Sequence, residues 1–390
     1  MIIFQLALRN LIRAGLRTWL NVFVLSLAFV AIILMQGVNQ GIIEQASRSM
    51  IDSELGGGQY WHANYDPFDP LTLEDAHAPL PPELQRLIAE GKATAVLVSQ
   101  GTIYPGGRMM PVLLKGIDPR QQILDLPTAE LANHAGTIPV LLGSRMAEST
   151  GLKVGDPLTI RWRDAHGTFD ARDALVVQIM NTSVQTVDQG QVWLPLDTLR
   201  RMAAMPGEAT LITLAKNTSP PANFHDWDFK DLNFLLRDVR EIVRFRKIAA
   251  GILNTILLFL ALVAIFDTQI LSVFRRRKEI GTLIALGMTR SGVIRLFTLE
   301  GGLHGILAVV VGAIYGIPLL GYLASTGIPL PQSSEGFGMA IGLVLYPVYG
   351  PALVLGSLLL VLLTVTVVSY LPTRQIANLK PTEALRGRVL

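Results

Sequence analysis

The sequence predicts an α-helical membrane protein with four transmembrane helices and a large α+β extracytoplasmic domain inserted between helices 1 and 2. Three observations carry this. Long runs hold no Asp, Glu, Lys or Arg: residues 18–43, 248–266, 301–334 and 336–373. The stretch 45–246 between the first two runs is polar and punctuated by prolines and turn signals. Basic residues gather at 1–17, 275–295 and 372–390, on one side of the runs.

The spans come first. Hydrophobic residues make up 50% of the chain and charged ones 16%, with a mean hydropathy of +0.43, which is too apolar for an ordinary soluble protein. A helix needs about 20 mostly apolar residues to cross the hydrocarbon core. There each backbone N–H and C=O must be paired within the helix. Segments 19–38, 248–271, 303–324 and 352–370 meet both demands. The first begins after Arg9, Arg13 and Arg17, as a signal peptide would. It is long, however, and no small-x-small cleavage site follows, so it reads as an uncleaved span.

Orientation follows from the flanks. Residues 1–17 carry three Arg, 275–295 carry five Arg and one Lys against one Glu, and 372–390 carry three Arg and one Lys against one Glu. The loop 326–338 has one acid and no base. The positive-inside bias places both termini and the 272–298 loop of a multi-pass membrane protein in the cytoplasm. Arg237, Arg240, Arg244, Arg246 and Lys247 oppose this, but they end a long domain, and long loops escape the bias. The net charge of +3 reflects these flanks and does not point to nucleic acid. Without cysteine there is no disulfide and no thiolate metal site. The inserted domain must hold together by its own core, for which it is long enough.

The domains are therefore 1–44 (an amphipathic segment and span 1), 45–246 (the inserted domain, ending in a stalk helix) and 247–390 (spans 2–4 with a cytoplasmic helix over 275–292). Within the insert, "PVLLKGIDPRQQ" (111–122) reads as a strand ending in a turn. "VLLGSRMAESTGLKVGDPLTIRWRD" (140–164) reads as strand, short helix, turn and strand. Leu158, Ile160 and Trp162 alternate with Thr159 and Arg161, the period of a half-buried strand. "DAHG" (164–167) reads as a hairpin turn. "QVWLPLDTLRRMAAM" (191–205) reads as strand then helix. "DLNFLLRDVREIVRFRKI" (231–248) has helical period and reads as a stalk running into span 2.

No catalytic constellation is present. There is no GxxxxGK[ST] loop for nucleotide, no HExxH and no GxSxG. His62, His77, His134, His166 and His225 have no partner at metal spacing and read as solvated or turn histidines, leaving no metal site. Asp267, Glu300 and His304 lie in or near spans. Charges there are costly enough to mark either a proton relay or structural polar contacts, and contacts are the preferred reading. Asp267 falls in the inner half of span 2, Glu300 at the start of span 3 and His304 one turn deeper on the same face. GxxxG pairs at Gly37/Gly41, Gly301/Gly305 and Gly312/Gly316 allow close helix approach.

The stretch "RRRKEIGTLIALGMTRSGVIRLFTLEGG" (275–302) sets four cations before an acid and then places Ile280, Leu283, Ile284 and Met288 at helical spacing between glycines. This predicts one short amphipathic helix, lying on the membrane or in a partner's groove. The residues leave these two readings level. The stretch resembles the signature of the FtsX-like ABC permease family, approximately RR-x-EIG-x-LRALG, a hydrophobic stretch and EG. Ile284 stands where the family often has Arg. "LPTRQIANLKPTEALRG" (371–387) is similar to that family's closing segment, and "LALRNLIRAGLRT" (6–18) to its opening one. "GIDP", "VLLGSRMAESTGLKVGDPLTI" and "QVWLPLDTLRRM" resemble the extracytoplasmic domain of its macrolide-exporter and lipoprotein-releasing members.

The resemblance implies a non-enzymatic transport subunit working by mechanotransmission. A separate ABC ATPase, carrying the ATP and Mg, would grip the cytoplasmic helix through Arg276, Glu279, Ile280, Gly281, Leu283, Leu286 and Gly287. A second permease copy or a paralogue would complete the transporter among membrane lipids, with a periplasmic carrier or adaptor outside. Lipoprotein release or export of another hydrophobic substrate is the leading function. Regulation of a cell-wall hydrolase and small-molecule export are the alternatives within the family. A proton-coupled transporter using Asp267, Glu300 and His304, and a sensor or adhesion anchor, are alternatives outside it.

Overall fold

The computed structural model describes residues 16–132, 134, 136–182, 184–221, 224–275, 281–282, 284, 286–329 and 344–377. The chain divides into two compact units. One is Ile43–Ile242; the other is drawn from the residues up to Ile42, from Val243–Pro329 and from Leu345 onward.

The Ile43–Ile242 unit is built on a sheet. Its strands are β1 (Gln59–His62), β2 (Ala78–Pro79), β3 (Ala93–Ile103), β4 (Met110–Ile117), β5 (Ile138–Gly143), β6 (Pro157–Arg163), β7 (Phe169–Met180), β8 (Gln191–Pro195), β9 (Glu208–Ala209), β10 (Leu211–Leu214) and β11 (Trp227–Lys230). Nine of them form one sheet in the order β11-β1-β10-β3-β4-β8-β5-β7-β6, while β2 pairs with β9. The far half of the long β3 also pairs with β6, Gly101 opposite Trp162, which closes β3-β4-β8-β5-β7-β6 into a ring. Most neighbours are antiparallel, but β4–β8 and β5–β7 are parallel.

Local chemistry explains these elements. On β6, Leu158, Ile160 and Trp162 are buried while Thr159 and Arg161 turn outward, the alternation read from the sequence. The β6–β7 turn is held by Asp164, whose Oδ1 accepts from the backbone N–H groups of His166 (2.9 Å) and Thr168 (2.7 Å). Helix α2 (Pro82–Ala89) begins on prolines, whose fixed φ suits a first turn. Helix α3 (Ser144–Thr150) follows β5 directly and is capped by the fully buried Asp188. That carboxylate accepts from Ser144 N (2.6 Å) and Arg145 N (3.1 Å). A Cβ on residue 143 would stand 2.2 Å from the Asp188 carbonyl oxygen, so the run "GSR" needs its glycine. Helix α4 (Leu196–Ala203) buries Leu196, Leu199 and Ala203 against the sheet, and its Met202 carbonyl accepts from Trp162 Nε1 (2.6 Å).

The other unit is helical. It contains α1 (Leu16–Met50), α5 (Arg237–Arg275), α6 (Arg290–Thr326) and α7 (Pro351–Ala377), although α1 and α5 each continue into the sheet unit. Val22, Leu25, Phe29 and Ile33 of α1 form one apolar cluster with Ala308 of α6 and Val361 and Val365 of α7. Glycines allow the approach. A Cβ on Gly316 would stand 2.8 Å from Val30, and one on Gly305 would stand 3.3 Å from Leu362. Beyond this cluster the 344–350 segment crosses α1. Val348 N donates to the Gly37 carbonyl (3.0 Å), and a Cβ on Gly41 would meet the Tyr346 carbonyl oxygen at 2.2 Å. The three GxxxG pairs of the sequence therefore fall at or beside close approaches.

Some expectations are met in part and others are corrected. Among the described residues, three helices are long and apolar enough to cross a membrane: Trp19–Leu55, Arg290–Thr326 and Pro351–Leu371. The predicted second span lies inside α5, whose apolar described stretch is Gly251–Leu260. The helices also extend past the apolar runs, because a helix continues wherever its backbone bonds and packing allow, irrespective of hydropathy. The stalk is not continuous over 231–248. Asp231 caps one short turn, Leu232–Leu235, and the long helix starts at Arg237 after the buried Leu236.

Candidate functional site

The segment joining α5 to α6 is where the sequence concentrates its functional reading. Arg276, Glu279, Ile280 and Leu283 lie outside the described residues. Gly281 is buried, Gly281, Thr282 and Ile284 are helical, and a turn follows at Leu286–Gly287. There Leu286 N donates to the Thr282 carbonyl (2.9 Å) and Gly287 N to the Ile284 carbonyl (3.0 Å). Gly287 takes φ 98°, a left-handed value that glycine alone adopts at little cost. The turn leaves Leu286 80% exposed, an apolar side chain displayed at a fixed point. Thr289 then caps α6, its Oγ1 accepting from Gly292 N (3.2 Å).

The expected single helix over 275–292 is thereby corrected. The helical stretch stops at Gly287, Met288 lies outside it, and 290–292 form the first turn of α6. Glycine followed by a Thr cap is the stop-and-start signal that separates them.

The polar residues of the spans are not gathered into one group. Glu300 is buried at 5% exposure, not at the start of its helix but ten residues into α6, which begins at Arg290. His304 lies one turn on, and its Nδ1 donates to the Glu300 carbonyl at 2.7 Å. Asp267 is exposed on α5.

The sheet unit holds ionisable groups that the sequence reading missed. His62 was expected to be solvated, yet it is buried on β1 with its ring edge-on to Trp227. Burial pushes its pKa down, Asp226 pulls it up, and His77 adds to the fall. His77 pairs with Glu208 and also lies 3.0 Å from the Glu74 carbonyl through Nε2. It is tied down where β2 meets β9, and is not a free turn histidine. Lys115 of β4 is buried, with Nζ 3.0 Å from Glu54 Oε1 and 5.0 Å from the centre of the Trp193 ring. A lysine in phase with Leu113 on an otherwise apolar strand was the available signal.

Comparisons with known proteins match these two units in consecutive blocks. The family described as MacB-like periplasmic core domain matches residues 18–224, and the one described as FtsX-like permease C-terminal matches residues 251–381. The chain belongs to the MacB-like periplasmic core domain family, and its last third matches the FtsX-like permease C-terminal region. This permease is 22% identical over 324 residues to the lipoprotein-releasing system transmembrane protein LolC of Neisseria meningitidis, covering 75% of this chain and 77% of that one. It is 21% identical over 251 residues to LolC of Xylella fastidiosa, covering 58% of this chain and 60% of the relative. It is 27% identical over 222 residues to the macrolide export ATP-binding/permease protein MacB of Wolinella succinogenes, covering 55% of this chain and 31% of the relative. The match thus spans less than two thirds of the length of the Xylella relative and about a third of the Wolinella one. The matched blocks thus pair a periplasmic core domain with a permease C-terminal region, in a chain with three described helices long and apolar enough to cross a membrane.

Proposed function

We propose that this permease is the transmembrane subunit of an ABC transporter and converts ATP hydrolysis by a separate ATPase into movement of its sheet unit outside the membrane. One observation carries the reading: a MacB-like periplasmic core and an FtsX-like permease region follow one another along a single chain. The Leu286–Gly287 turn supports it, because an exposed apolar side chain on a glycine-set turn suits a groove in a partner. On this account the cytoplasmic segment with Arg276, Glu279, Ile280, Gly281, Leu283, Leu286 and Gly287 docks the ATPase, which holds the ATP and Mg. α5 supplies the fourth span, both termini lie in the cytoplasm of a bacterial inner-membrane protein, and a second copy or a paralogue completes the pore. The cargo is a lipoprotein or another hydrophobic molecule, as the names of the LolC and MacB relatives suggest.

Affinity purification of the full chain from membranes in mild detergent tests the reading. An ABC ATPase and a second permease chain should be recovered in stoichiometric amount. A reporter inserted at Gly207, in the exposed turn after α4, should be active only outside the cytoplasm. Recovery of the chain alone, with a cytoplasmic reporter signal, would overturn the proposal.

A further inference from the structure

A cleft of about 820 Å³ opens in the sheet unit. Its volume lies in the range of small-molecule sites, ~300–1,000 Å³. The floor is one face of the sheet. Register places Leu113 beside Gln191 and Lys115 beside Trp193 where β4 pairs with β8. On the other side it places Trp61 beside Leu211 and Gln59 beside Thr213 where β1 pairs with β10. One wall is aromatic. Trp61 meets Tyr65 edge-on at 5.1 Å and Phe234 at 5.9 Å, and Phe68 stands 79% exposed among the lining residues.

Three features define what fits. First, the charges balance. The lining holds Lys115, Lys230 and Arg237 against Glu54, Asp66 and Asp238, an excess of neither sign, with Lys115 paired to Glu54 and Lys230 to Asp228. Second, burial together with Glu54 and Asp66 pushes the Tyr65 phenol upward, so that wall stays neutral. Third, the Gln191 side-chain oxygen and the Trp193 indole N–H are buried without a hydrogen-bond partner. An acceptor and a donor two residues apart on one strand face match a group that both donates and accepts, as a secondary amide does.

We propose that this cleft binds an uncharged amphiphile, its apolar body against Trp61, Tyr65 and Phe234 and its amide- or hydroxyl-type group toward Gln191 and Trp193. This is independent of the transport reading, because it concerns occupancy of the sheet unit and not coupling to an ATPase.

The test uses the full chain in phosphatidylcholine nanodiscs. The probe is an N-octanoyl alkylamide with a diazirine in its acyl chain, and the comparison is octanoate carrying the same diazirine. After irradiation, peptides are mapped by mass spectrometry. Label should appear on peptides holding Trp61, Tyr65 or Phe234, and excess non-photoreactive amide should remove it. The octanoate probe should label them about tenfold less, the factor given by a ~1.4 kcal/mol loss of binding. Leu113→Trp, which fills the floor, and Phe234→Ala, at a partly exposed position in a short turn, should each lower cleft labelling while span labelling is unchanged. Label confined to the spans, equal labelling by octanoate, or cleft labelling unmoved by both variants would overturn the proposal. Phe234→Ala keeps the test decisive if Leu113→Trp fails to fold.

Discussion

Lys115 Nζ lies 3.0 Å from Glu54 Oε1, with side-chain exposures of 5% and 18%. The contact ties β4 to the π-helical turn Ile51–Leu55, through which α1 passes into the sheet unit. Other bonds act at the same turn. Asp125 N donates to the Asp52 carbonyl (2.7 Å), Gln59 Nε2 to the Glu54 carbonyl (2.8 Å), and Lys216 pairs with Asp52. The turn Ile51–Leu55 is therefore held by four other parts of the unit to which it belongs.

Removing one member of the buried pair strands the other charge. Glu54→Ala should lower unfolding free energy by about 3 kcal/mol, the low end for a broken buried ion pair, because Glu54 retains some solvent. Adding Lys115→Met should recover much of that loss. Thermal unfolding of the purified single and double variants checks this, and a double variant as unstable as Glu54→Ala would remove the pair from the account.

A second prediction concerns Gly41. Alanine favours a helix over glycine by ~1 kcal/mol, so Gly→Ala in α1 would ordinarily stabilise. At residue 41 the added Cβ meets the Tyr346 carbonyl oxygen at 2.2 Å, and backbone must move. Gly41→Ala should lower the melting temperature in detergent, whereas Gly356→Ala, with nothing within 4 Å, should leave it equal or higher. Equal behaviour of the two would mean that the 344–350 segment does not pack on α1.

The buried His62 predicts a pH effect. Its folded pKa lies below the ordinary value of 6.5, chiefly through burial. The unfolded chain therefore binds more protons below that value, and stability falls as pH drops through the unfolded pKa toward the folded one. Above it both states are neutral and the contribution is complete. Unfolding compared between pH 7.5 and pH 5.5 should show a smaller acid loss in His62→Gln than in the parent. An identical acid loss would place the sensitivity elsewhere.

Legibility followed the range of the interactions. The β6 alternation, the Asp164 turn and the strand–helix units at 138–150 and 191–203 are local, and each was readable from spacing and turn chemistry. The parallel β4–β8 pairing and the β3–β6 closure depend on register between distant segments, which no local pattern records. The same holds for His62 and His77, which look solvated in sequence and are held through β1, β2 and β9. Hydropathy marked only the apolar middle of each membrane helix. It missed that α6 begins at Arg290, because Arg290, Arg295 and Glu300 interrupt the apolar run while Thr289 starts the helix. The basic segment was recognisable as functional, but only the Leu286–Gly287 turn shows where its helical stretch stops.

The spans provide a fourth prediction. His304 Nδ1 is used on the Glu300 carbonyl, and Asp267 is exposed on α5. Asp267→Asn and His304→Gln should each retain most transport of the exported cargo. Disruption of the docking segment should remove it. Complete loss in either substitution, at normal membrane level and normal assembly, would restore the proton-relay alternative.

Glu279 tests the central claim most directly. It follows four cations in the sequence and stands in the segment proposed to dock the ATPase. Charge reversal at a docked acid costs roughly 2–5 kcal/mol of binding when its pair is buried, and each ~1.4 kcal/mol is a factor of ten. The measurement is ATPase recovered with the Glu279→Arg permease and with the parent, purified at equal membrane levels. The account predicts at least about tenfold less ATPase with the variant, with the permease still folded. Unchanged recovery together with unchanged transport would contradict it, leaving the basic segment as a topological stop beside a helix that rests in lipid.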